Sequence, residues 1–343
     1  MLLSIIIPAY QAEATIEKCI SSALDSASSD YEIIVIDDGS YDSTACICSR
    51  MANVDPRIKL IQQSNFGRSA ARNRGIAESN GTWMMFLDAD DWILPGSIDR
   101  VLESIGSLSD EFNIAFFKSD DKCKSVSGVS TIGIVCSNGF DIACRMLDPM
   151  FAESDLSTMN GYNLETVWAK AYRKHMLINQ KHLFNTQLHL GEDALFNLPV
   201  FADSKIALCG SVIYHYEISN PGTCRSFNFD DSQCLLTLYK EISSAATACN
   251  LPHPCVEAYI ASSFSSFCKR AAIYGDVSAP AVIDSVDALA KTELVSNSIK
   301  NLRAGSFKNR IHNWIFVFLA HNGFTATMLK FEHLIYNNRR ADE

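Results

Sequence analysis

Strands that are apolar along their whole length alternate with helices through about the first hundred residues, and this alternation restricts the fold more than any other feature of the chain. Four segments are typical of buried strands: "LLSIIIPAY", "YEIIVIDDGS", "RIKLIQQ" and "GTWMMFLDAD". Segments with apolar residues at helical spacing lie between them, for example "AEATIEKCISSALDS" and "GRSAARNRGIAES". Strands without a polar face are buried on both sides. The pattern therefore predicts an α/β fold with a central, mostly parallel sheet covered by helices.

The rest of the chain divides into two stretches of different character. From Ile98 to about Phe201, short strands mix with helices, and "GEDALFNLPVFA" is typical of a helix entered through Gly191. Beyond about Asn228 the pattern is mostly helical. With 343 residues, the chain is long enough for one large α/β domain followed by an accessory region.

Composition excludes several classes of protein. The formal net charge of −10 argues against an overall electrostatic grip on nucleic acid. No segment has the length of a membrane-spanning helix, and "MLLSIIIPAY" lacks the basic start and the cleavage site of a signal peptide. Twelve cysteines in a chain of this length, without an export signal, are expected to stay reduced. We therefore expect a cytoplasmic protein.

Acidic residues follow the fourth predicted strand, at the sheet edge where such folds bind ligands. Asp88 and Asp90 are separated by one residue. Two oxygen ligands so placed suit Mg²⁺ or Mn²⁺, and the cation would also offset the repulsion between these residues and Asp91. The alternative is a solvated turn in which Asp91 or Ser97 caps the next helix, and a lone D-x-D pair favours that alternative.

The sequence resembles family 2 glycosyltransferases in four segments, which occur in the order and with the spacing of that family: "SIIIPAYQAEATIEKCISSAL", "EIIVIDDGSYDST", "NFGRSAARNRGIAESNGTWMMFLDADDWILP" and "GEDALFN". The resemblance implies an inverting enzyme with a Rossmann-like nucleotide-diphospho-sugar transferase (GT-A) domain. It is strongest to bacterial enzymes that build capsule, O-antigen and other surface polysaccharides. We expect this domain at residues 1–225, with a nucleotide-sugar-binding half at 1–95 and an acceptor-binding half at 96–225, before a helical region at 226–343.

The resemblance implies that one group of residues holds the nucleotide-diphospho-sugar donor: Pro8, Ala9, Tyr10, Asp37, Asp38, Arg68, Arg72, Asp88, Ala89 and Asp90. Asp38 is expected to accept the N–H of a uracil ring, although a turn and helix cap at Asp37–Gly39 is an equal alternative. A guanidinium at Arg68 or Arg72 suits a diphosphate, because its planar fork matches phosphate oxygens. Asp88 and Asp90 match the D-x-D element and would bind Mn²⁺ or Mg²⁺, which stabilises the charge of the departing nucleoside diphosphate.

Asp193 matches the aspartate of the family's E-D element, which takes the proton of the acceptor hydroxyl. Taken alone, Asp193 would be interpreted as a first-turn acid, favourable at any helix start. The resemblance implies roles in binding the acceptor or the donor sugar for six further residues: Asp91, Trp168, Lys170, Glu192, His215 and Arg225. Core packing of Trp168 and an ordinary strand position for His215 are the alternatives.

The donor sugar and the acceptor stay open at this point. Uridine diphosphate is the expected carrier, and a glycan or a lipid-diphosphate-linked oligosaccharide is the expected acceptor. Two other functions compete, a sugar nucleotidyltransferase and a non-catalytic sugar-nucleotide-binding or scaffold protein. The first strand is not followed by a glycine-rich loop with a basic residue, which counts against the first. The D-x-D and E-D elements count against the second.

A basic and aromatic segment lies between Ser296 and Arg340, where seven residues are basic and one is acidic. In "NWIFVFLA" and "FTATMLKFEHLIY" these charges are interleaved with aromatic and aliphatic side chains. Such a composition predicts a helix that lies on an anionic membrane surface, at the inner face of the cytoplasmic membrane. Packing of these helices on the catalytic domain or on a second subunit is an equal alternative.

Overall fold

Four parallel strands form the first half of the sheet in the computed structural model, which describes residues 1–120, 135–148, 161–217, 227–228, 230–301, 324–330 and 333. The strands are β1 (Leu3–Ala9), β2 (Tyr31–Asp37), β3 (Ile58–Gln62) and β4 (Trp83–Phe86). β1 pairs with β2 and β4, and β2 pairs with β3. Three helices connect them: α1 (Ile16–Ala23), α2 (Thr44–Val54) and α3 (Arg68–Glu78). The parallel sheet predicted from the apolar strands is confirmed here.

Both faces of this half of the sheet are covered, which explains why its strands are apolar throughout. Every residue of β1 and of β2 is buried. Helix α3 approaches β1 so closely that a Cβ on Gly75 would lie 2.3 Å from Cγ2 of Ile6. The close approach at Gly75 therefore fixes α3 against the sheet, and with it the arginines of that helix.

The second half of the sheet is mixed. Its elements are β5 (Trp92–Ile93), α4 (Ser97–Ser107), β6 (Ile114–Ser119), β7 (Val135–Asn138), α5 (Gly139–Leu147), β8 (Lys170–Arg173), α6 (Lys174–Asn179), α7 (Glu192–Ala202) and β9 (Lys205–His215). Across the described residues the strand order is β3-β2-β1-β4-β8-β6-β9-β5, with β7 paired to β9. β8 is antiparallel to β4 and β6, whereas β6 and β9 are parallel. β9 is antiparallel to β5 and β7.

Helix α7 begins as the sequence predicts, immediately after Gly191. That glycine has a φ of 72°, in the left-handed region that residues with a Cβ disfavour, so the chain can turn sharply into the helix. β9 follows three residues after the end of α7, as the strand pattern in "KIALCGSVIYHYEIS" predicts. The fold therefore places the first turn of α7 and the last residues of β9 in defined positions.

Over the described residues the chain divides into two compact units. One comprises Met1–Met146 and Glu153–Ile218, and the other comprises Leu147–Ala152 and Ser219–Glu343. The second contains α8 (Asp231–Ala248), α9 (His253–Tyr274), α10 (Pro280–Ala290) and α11 (Glu293–Asn301), and residues 325–330 are helical as well. The predicted helical C-terminal region is confirmed.

The described helices do not include one that is both long enough and apolar enough to cross a membrane. Residues 302–323, which contain "NWIFVFLA", lie outside the described part of the chain. The interfacial helix on an anionic membrane therefore stays a prediction.

Candidate active site

Three segments of the N-terminal unit bring polar side chains together. They are the residues after β4, the first half of α3 and the first turn of α7. β4 is buried throughout and Leu87 is also fully buried, so the acidic run at 88–91 begins where the chain leaves the sheet. Glu192 and Asp193 occupy the first turn of α7, where the helix dipole favours acidic side chains. The D-x-D and E-D segments, which are 102 residues apart in sequence (192 − 90), thus meet around the arginines of α3.

Arg72 is the centre of this cluster. Its side chain is 0% exposed, and its Nη2 donates to Oδ1 of Asp88 at 2.9 Å. Its Nη1 donates to Oδ1 of Asp193 at 2.6 Å and lies 3.5 Å from Oε1 of Glu192. Arg68, one turn earlier, also pairs with Glu192 and keeps 43% of its side chain exposed. Two guanidinium groups therefore face three carboxylates, one from the D-x-D segment and two from α7.

These contacts shift the pKa values of Arg72, Asp88 and Asp193. Burial alone would lower the pKa of the Arg72 guanidinium, but Asp193, Asp88 and Glu192 raise it above its usual value. Burial would raise the pKa of Asp88, yet the charges of Arg72 and Arg68 hold it below the usual range. At Asp193, burial dominates over Arg72 and raises the pKa to about 6. Asp193 is therefore ionised at neutral pH, but it is a stronger base than an ordinary aspartate.

Asp91 differs from the other acids of the run because it is almost completely enclosed. Its Oδ2 accepts a hydrogen bond from the Tyr214 hydroxyl at 2.6 Å, and its Oδ1 accepts one from the backbone N–H of Glu217 at 2.9 Å. Burial and the charge of Asp88 raise the pKa of Asp91 to about 8, against the effect of these two donors. Asp91 therefore connects the end of β4 to the end of β9.

Asp90 is the carboxylate most suited to a cation. It is partly exposed, it forms no salt bridge among the described residues, and burial together with the charge of Asp88 raises its pKa. The described residues contain no group of three or more His, Cys, Asp or Glu side chains that could hold a metal by themselves. Two partly exposed carboxylates, Asp88 and Asp90, with the buried Ala89 between them, do fit a hard divalent cation whose other ligands are phosphate and water. One oxygen of Asp88 is already occupied by Arg72.

The acidic pair after β2 has a different environment. Asp38 is 3% exposed, and its oxygens accept hydrogen bonds from Nε2 of Gln63 at 2.7 Å and from the backbone N–H groups of Phe66 and Gly67 at 3.0 and 2.8 Å. Asp37 accepts from the backbone N–H of Ser40 and from the Gln62 side chain. The expected contact of Asp38 with a uracil ring would require its carboxylate oxygens to break or share these hydrogen bonds.

The residues at the end of β1 divide into a buried part and an exposed part. Pro8 and Ala9 are buried, and the backbone N–H of Asp38 donates to the carbonyl oxygen of Ala9. Tyr10 is 47% exposed and contacts the ring of Tyr41 edge-on, with ring centroids 6.4 Å apart. Of the predicted nucleotide-binding residues at this position, only Tyr10 presents its side chain to solvent.

Stacked aromatic rings lie close to the acidic residues at 88–91. Trp168 is 4% exposed and stacks on Tyr214 with ring centroids 4.6 Å apart. His215 stacks on Trp92 at 3.8 Å, and its Nδ1 lies 2.5 Å from Oδ2 of Asp120. Trp168 thus packs in the core, as its alternative interpretation holds, and His215 is fixed by a ring and a carboxylate. Arg225 lies outside the described residues.

Lys170, expected to bind the acceptor or the donor sugar, is enclosed by the protein. It is 1% exposed, and its Nζ donates to the backbone carbonyl oxygens of Asn163 and Thr166, both at 2.6 Å, and lies 3.4 Å from that of Trp168. Burial lowers the pKa of Lys170 to about 7, although the charge of Asp193 acts in the opposite direction. The lysine binds the loop before β8, so it stabilises the fold and does not face solvent.

Several residues that position the site could not be identified from the sequence. Tyr214 contacts Asp91 across 123 residues of chain. The backbone N–H of Val167 donates to Oδ2 of Asp193 at 3.3 Å. Asn197, one turn after Asp193, accepts from the Tyr172 hydroxyl at 2.9 Å and donates to the carbonyl of Thr166 at 2.9 Å. For Asn197, the sequence signal is its position at the end of the segment "GEDALFN".

Comparison with known proteins bears on the family and the fold of this chain. Residues 4–129 match the family described as "Glycosyl transferase family 2". Over 225 residues the chain is 31% identical to the uncharacterized glycosyltransferase EpsJ of Bacillus subtilis (strain 168), and the alignment covers 65% of this chain and 62% of EpsJ. The chain thus spans less than two thirds of that relative.

Two solved structures show the same fold. The crystal structure of S. aureus TarS 1–349 in complex with UDP-GlcNAc matches 98% of this chain and 92% of that chain, with a TM-score of 0.63 and 17% identity. The mannosyltransferase PcManGT from Pyrobaculum calidifontis, in complex with GDP-Man and Mn²⁺, matches 97% of this chain and 86% of that chain, with a TM-score of 0.52 and 13% identity. The predicted fold class and the predicted resemblance are confirmed. Over residues 4–129 the chain is thus similar to glycosyl transferase family 2.

Proposed function

We propose that this protein is an inverting glycosyltransferase that moves a sugar from a nucleotide-diphospho-sugar to a hydroxyl group of a glycan or lipid-linked acceptor. One observation supports this proposal most: a single buried guanidinium, that of Arg72, contacts both Asp88 of the D-x-D segment and Asp193 of the E-D segment. The donor-side acid Asp88 and the candidate base Asp193 therefore lie within hydrogen-bonding distance of the same guanidinium, so one site can hold both the donor and the acceptor hydroxyl.

Asp193 is the proposed general base. Its carboxylate is 20% exposed, so an acceptor hydroxyl can approach it. Because its pKa is raised to about 6, the carboxylate is ionised at neutral pH and has more affinity for a proton than an ordinary aspartate. As the acceptor oxygen bonds to the anomeric carbon, its proton passes to Asp193, and the bond from that carbon to the diphosphate oxygen breaks. Attack opposite the leaving group inverts the anomeric configuration.

The donor side is assigned to Asp88, Asp90, Arg68 and Tyr10. Asp88 and Asp90 would hold Mn²⁺ or Mg²⁺, which as a Lewis acid supplies stabilisation of the charge on the departing diphosphate. The guanidinium of Arg68 is 43% exposed and can contact a phosphate, because Glu192 is its one salt-bridge partner in the described part of the chain. The exposed ring of Tyr10 offers an apolar face on which the nucleotide's uracil ring can stack. Glu192, 4% exposed, holds the two arginines and is not proposed as an acceptor ligand.

The carrier nucleotide is proposed to be uridine diphosphate. The likeness to TarS, solved with UDP-GlcNAc, supports it, whereas PcManGT was solved with GDP-Man. The acceptor that the family resemblance implies, a surface polysaccharide precursor at the inner face of the membrane, is part of the same proposal.

The test is a screen of UDP-sugars and GDP-sugars for release of the nucleoside diphosphate, with Mn²⁺ or Mg²⁺ and with excess chelator. We expect release from at least one UDP-sugar in the presence of metal, and none with chelator. Binding of a UDP-sugar without any release, even with short glycan and lipid-linked acceptors, would favour the non-catalytic alternative. Formation of a nucleotide-sugar from a sugar phosphate and a nucleoside triphosphate would favour the nucleotidyltransferase.

A further inference from the structure

We propose that Arg72 is a positioning residue that holds the base Asp193 and the donor-side acid Asp88 at a fixed separation, and that it is not a ligand of the donor diphosphate. The inference rests on the proposed function and revises one of its expectations, since the family resemblance placed Arg72 among the donor-binding residues. Arg68 is then the arginine of α3 that is free to contact phosphate.

The contacts of Arg72 use different nitrogens for the two acids. Nη2 donates to Asp88 at 2.9 Å, and Nη1 donates to Asp193 at 2.6 Å. A guanidinium is planar and rigid, so two carboxylates on its two terminal nitrogens cannot change their separation without breaking a hydrogen bond. The geometry therefore couples the position of the base to the position of the D-x-D segment.

The side chain of Arg72 is itself held in place from several sides. It is 0% exposed, and its guanidinium carbon lies 5.2 Å from the centre of the Phe184 ring. The neighbouring Asn73 exchanges two hydrogen bonds with the backbone of Phe184, at 2.9 and 2.8 Å. Gly75 fixes α3 against β1. A residue held this rigidly can orient other groups, but it cannot swing out to meet a ligand that arrives from solvent.

Both terminal nitrogens of Arg72 already contact carboxylates, whereas its buried Nε has no hydrogen-bond partner among the described residues. Three carboxylates surround the guanidinium. To bind a phosphate, Arg72 would first have to break its salt bridges to these buried partners, which costs free energy. Arg68 has the opposite properties, since it is 43% exposed and has one carboxylate partner. The two arginines of the family segment thus have different roles, although they lie one helical turn apart.

The surroundings of Asp193 give this role a measurable consequence. The charged and titratable groups that face Asp193 are Arg72 and Arg68 from α3, Glu192 from its own helix, Asp88 after β4, and Lys170 and Tyr172 from β8. Among them, Arg72 is the strongest influence that lowers the pKa of Asp193. If the guanidinium is withdrawn from Asp193, the base becomes harder to ionise and is also displaced.

The experiment compares Arg72→Lys with Arg74→Lys in the full-length protein. Arg74 lies on the same helix but is 54% exposed and pairs with Glu78, so it serves as the matched control. A lysine keeps the charge but has a single nitrogen that cannot span both acids. For Arg72→Lys we expect kcat to fall about 10- to 100-fold, as for a small misplacement of reacting groups. The donor KM should stay within about threefold, and the acid limb of the pH–rate profile should move to higher pH.

Three results would overturn the inference. The first is an Arg72→Lys variant with an unchanged kcat and pH profile. The second is a variant that raises the donor KM and leaves kcat alone, which indicates a ligand. The third is a structure of the wild-type protein with UDP or GDP and Mn²⁺ in which Arg72 contacts a phosphate. This structure keeps the inference testable if Arg72→Lys does not fold. It also separates the inference from the proposed function, which fails if wild-type protein releases no nucleoside diphosphate from any donor.

Discussion

The acidic residues after β2 and those after β4 lie at the ends of parallel strands in one sheet, yet their environments differ. Asp37 and Asp38 are at most 3% exposed, and protein donors meet their oxygens. After β4, Asp88 shares one buried guanidinium with Asp193, and burial with the charge of Asp88 raises the pKa of Asp90. Aspartates at the same edge of the sheet therefore have two roles. Those after β2 hold the backbone in place through hydrogen bonds, whereas those after β4 form a cluster whose negative charge is incompletely neutralised.

This difference gives a physical criterion for separating structural acids from candidate functional acids. A carboxylate whose oxygens accept several N–H donors is stable as an anion and needs no further cation. Asp38 binds the backbone of Phe66 and Gly67 in this way and so places the start of α3. Asp90 differs, because burial and the charge of Asp88 raise its pKa, and a divalent cation would relieve the repulsion between the two carboxylates.

Asp193→Asn should reduce turnover most. The amide keeps the shape but cannot accept the proton of the acceptor, and a general base contributes on the order of 10²- to 10⁴-fold. Steady-state transfer rates at saturating donor and acceptor measure the effect. Asp203→Asn, at the exposed C-terminal end of the same helix, is the matched control and should leave the rate unchanged. Turnover of Asp193→Asn above half the wild-type rate would assign the base to another residue.

Asp90→Ala should abolish metal-assisted transfer while the protein stays folded. Loss of a metal ligand removes several kcal/mol of transition-state stabilisation, which corresponds to about 10²-fold or more in rate. Thermal unfolding should be unchanged or shifted slightly upward, because a carboxylate repelled by Asp88 is removed. Full activity of this variant, or of the wild type in excess chelator, would show that transfer does not depend on a divalent metal.

The pH dependence of kcat/KM should show an acid limb near pH 6. Burial raises the pKa of Asp193 to about 6, and only the ionised carboxylate accepts a proton. Activity should therefore be on a plateau above that pH and fall about tenfold per pH unit below it. A profile that stays flat down to pH 4.5 would show that the titrating base has an ordinary aspartate pKa or is not Asp193.

Asp38→Asn should affect stability and leave the chemistry nearly intact. Replacing the anion weakens its hydrogen bonds to three donors, which should lower the free energy of unfolding by about 1–3 kcal/mol. Denaturant titration measures this, with the exposed Asp30→Asn as a control. An Asp38→Asn variant that is as stable as wild type, with a tenfold higher donor KM, would indicate that Asp38 binds the uracil ring as the family resemblance implies. The contrast between the acids after β2 and those after β4 would then be wrong.

The elements of the fold that the sequence predicted are those defined by local patterns. Strands β1 to β4 follow from apolar runs, and the start of α7 follows from Gly191 and two acids. The antiparallel pairing of β8 with β4 could not be predicted, because both are four-residue strands far apart in the chain. Short strands carry too little periodicity to specify their partners.

The candidate site was predictable to the same extent. Asp88, Asp90 and Asp193 were identified from their place at the ends of elements and from their resemblance to family motifs. The burial of Arg72 and Lys170 was not, because long basic side chains are usually solvated and only the folded chain shows which carboxylates and carbonyls surround them. The Asp91–Tyr214 contact was also beyond the sequence, since it depends on the pairing of β5 with β9.

If Asp193 is the base in a direct displacement on the donor sugar, transfer inverts the anomeric configuration. Proton NMR of the product made with a UDP-sugar and Mn²⁺ reads that configuration, and we expect it to be opposite to that of the donor. A product with the configuration of the donor would rule out this mechanism, because retention requires either a covalent intermediate or front-side attack, and neither uses Asp193 as the base proposed for this site.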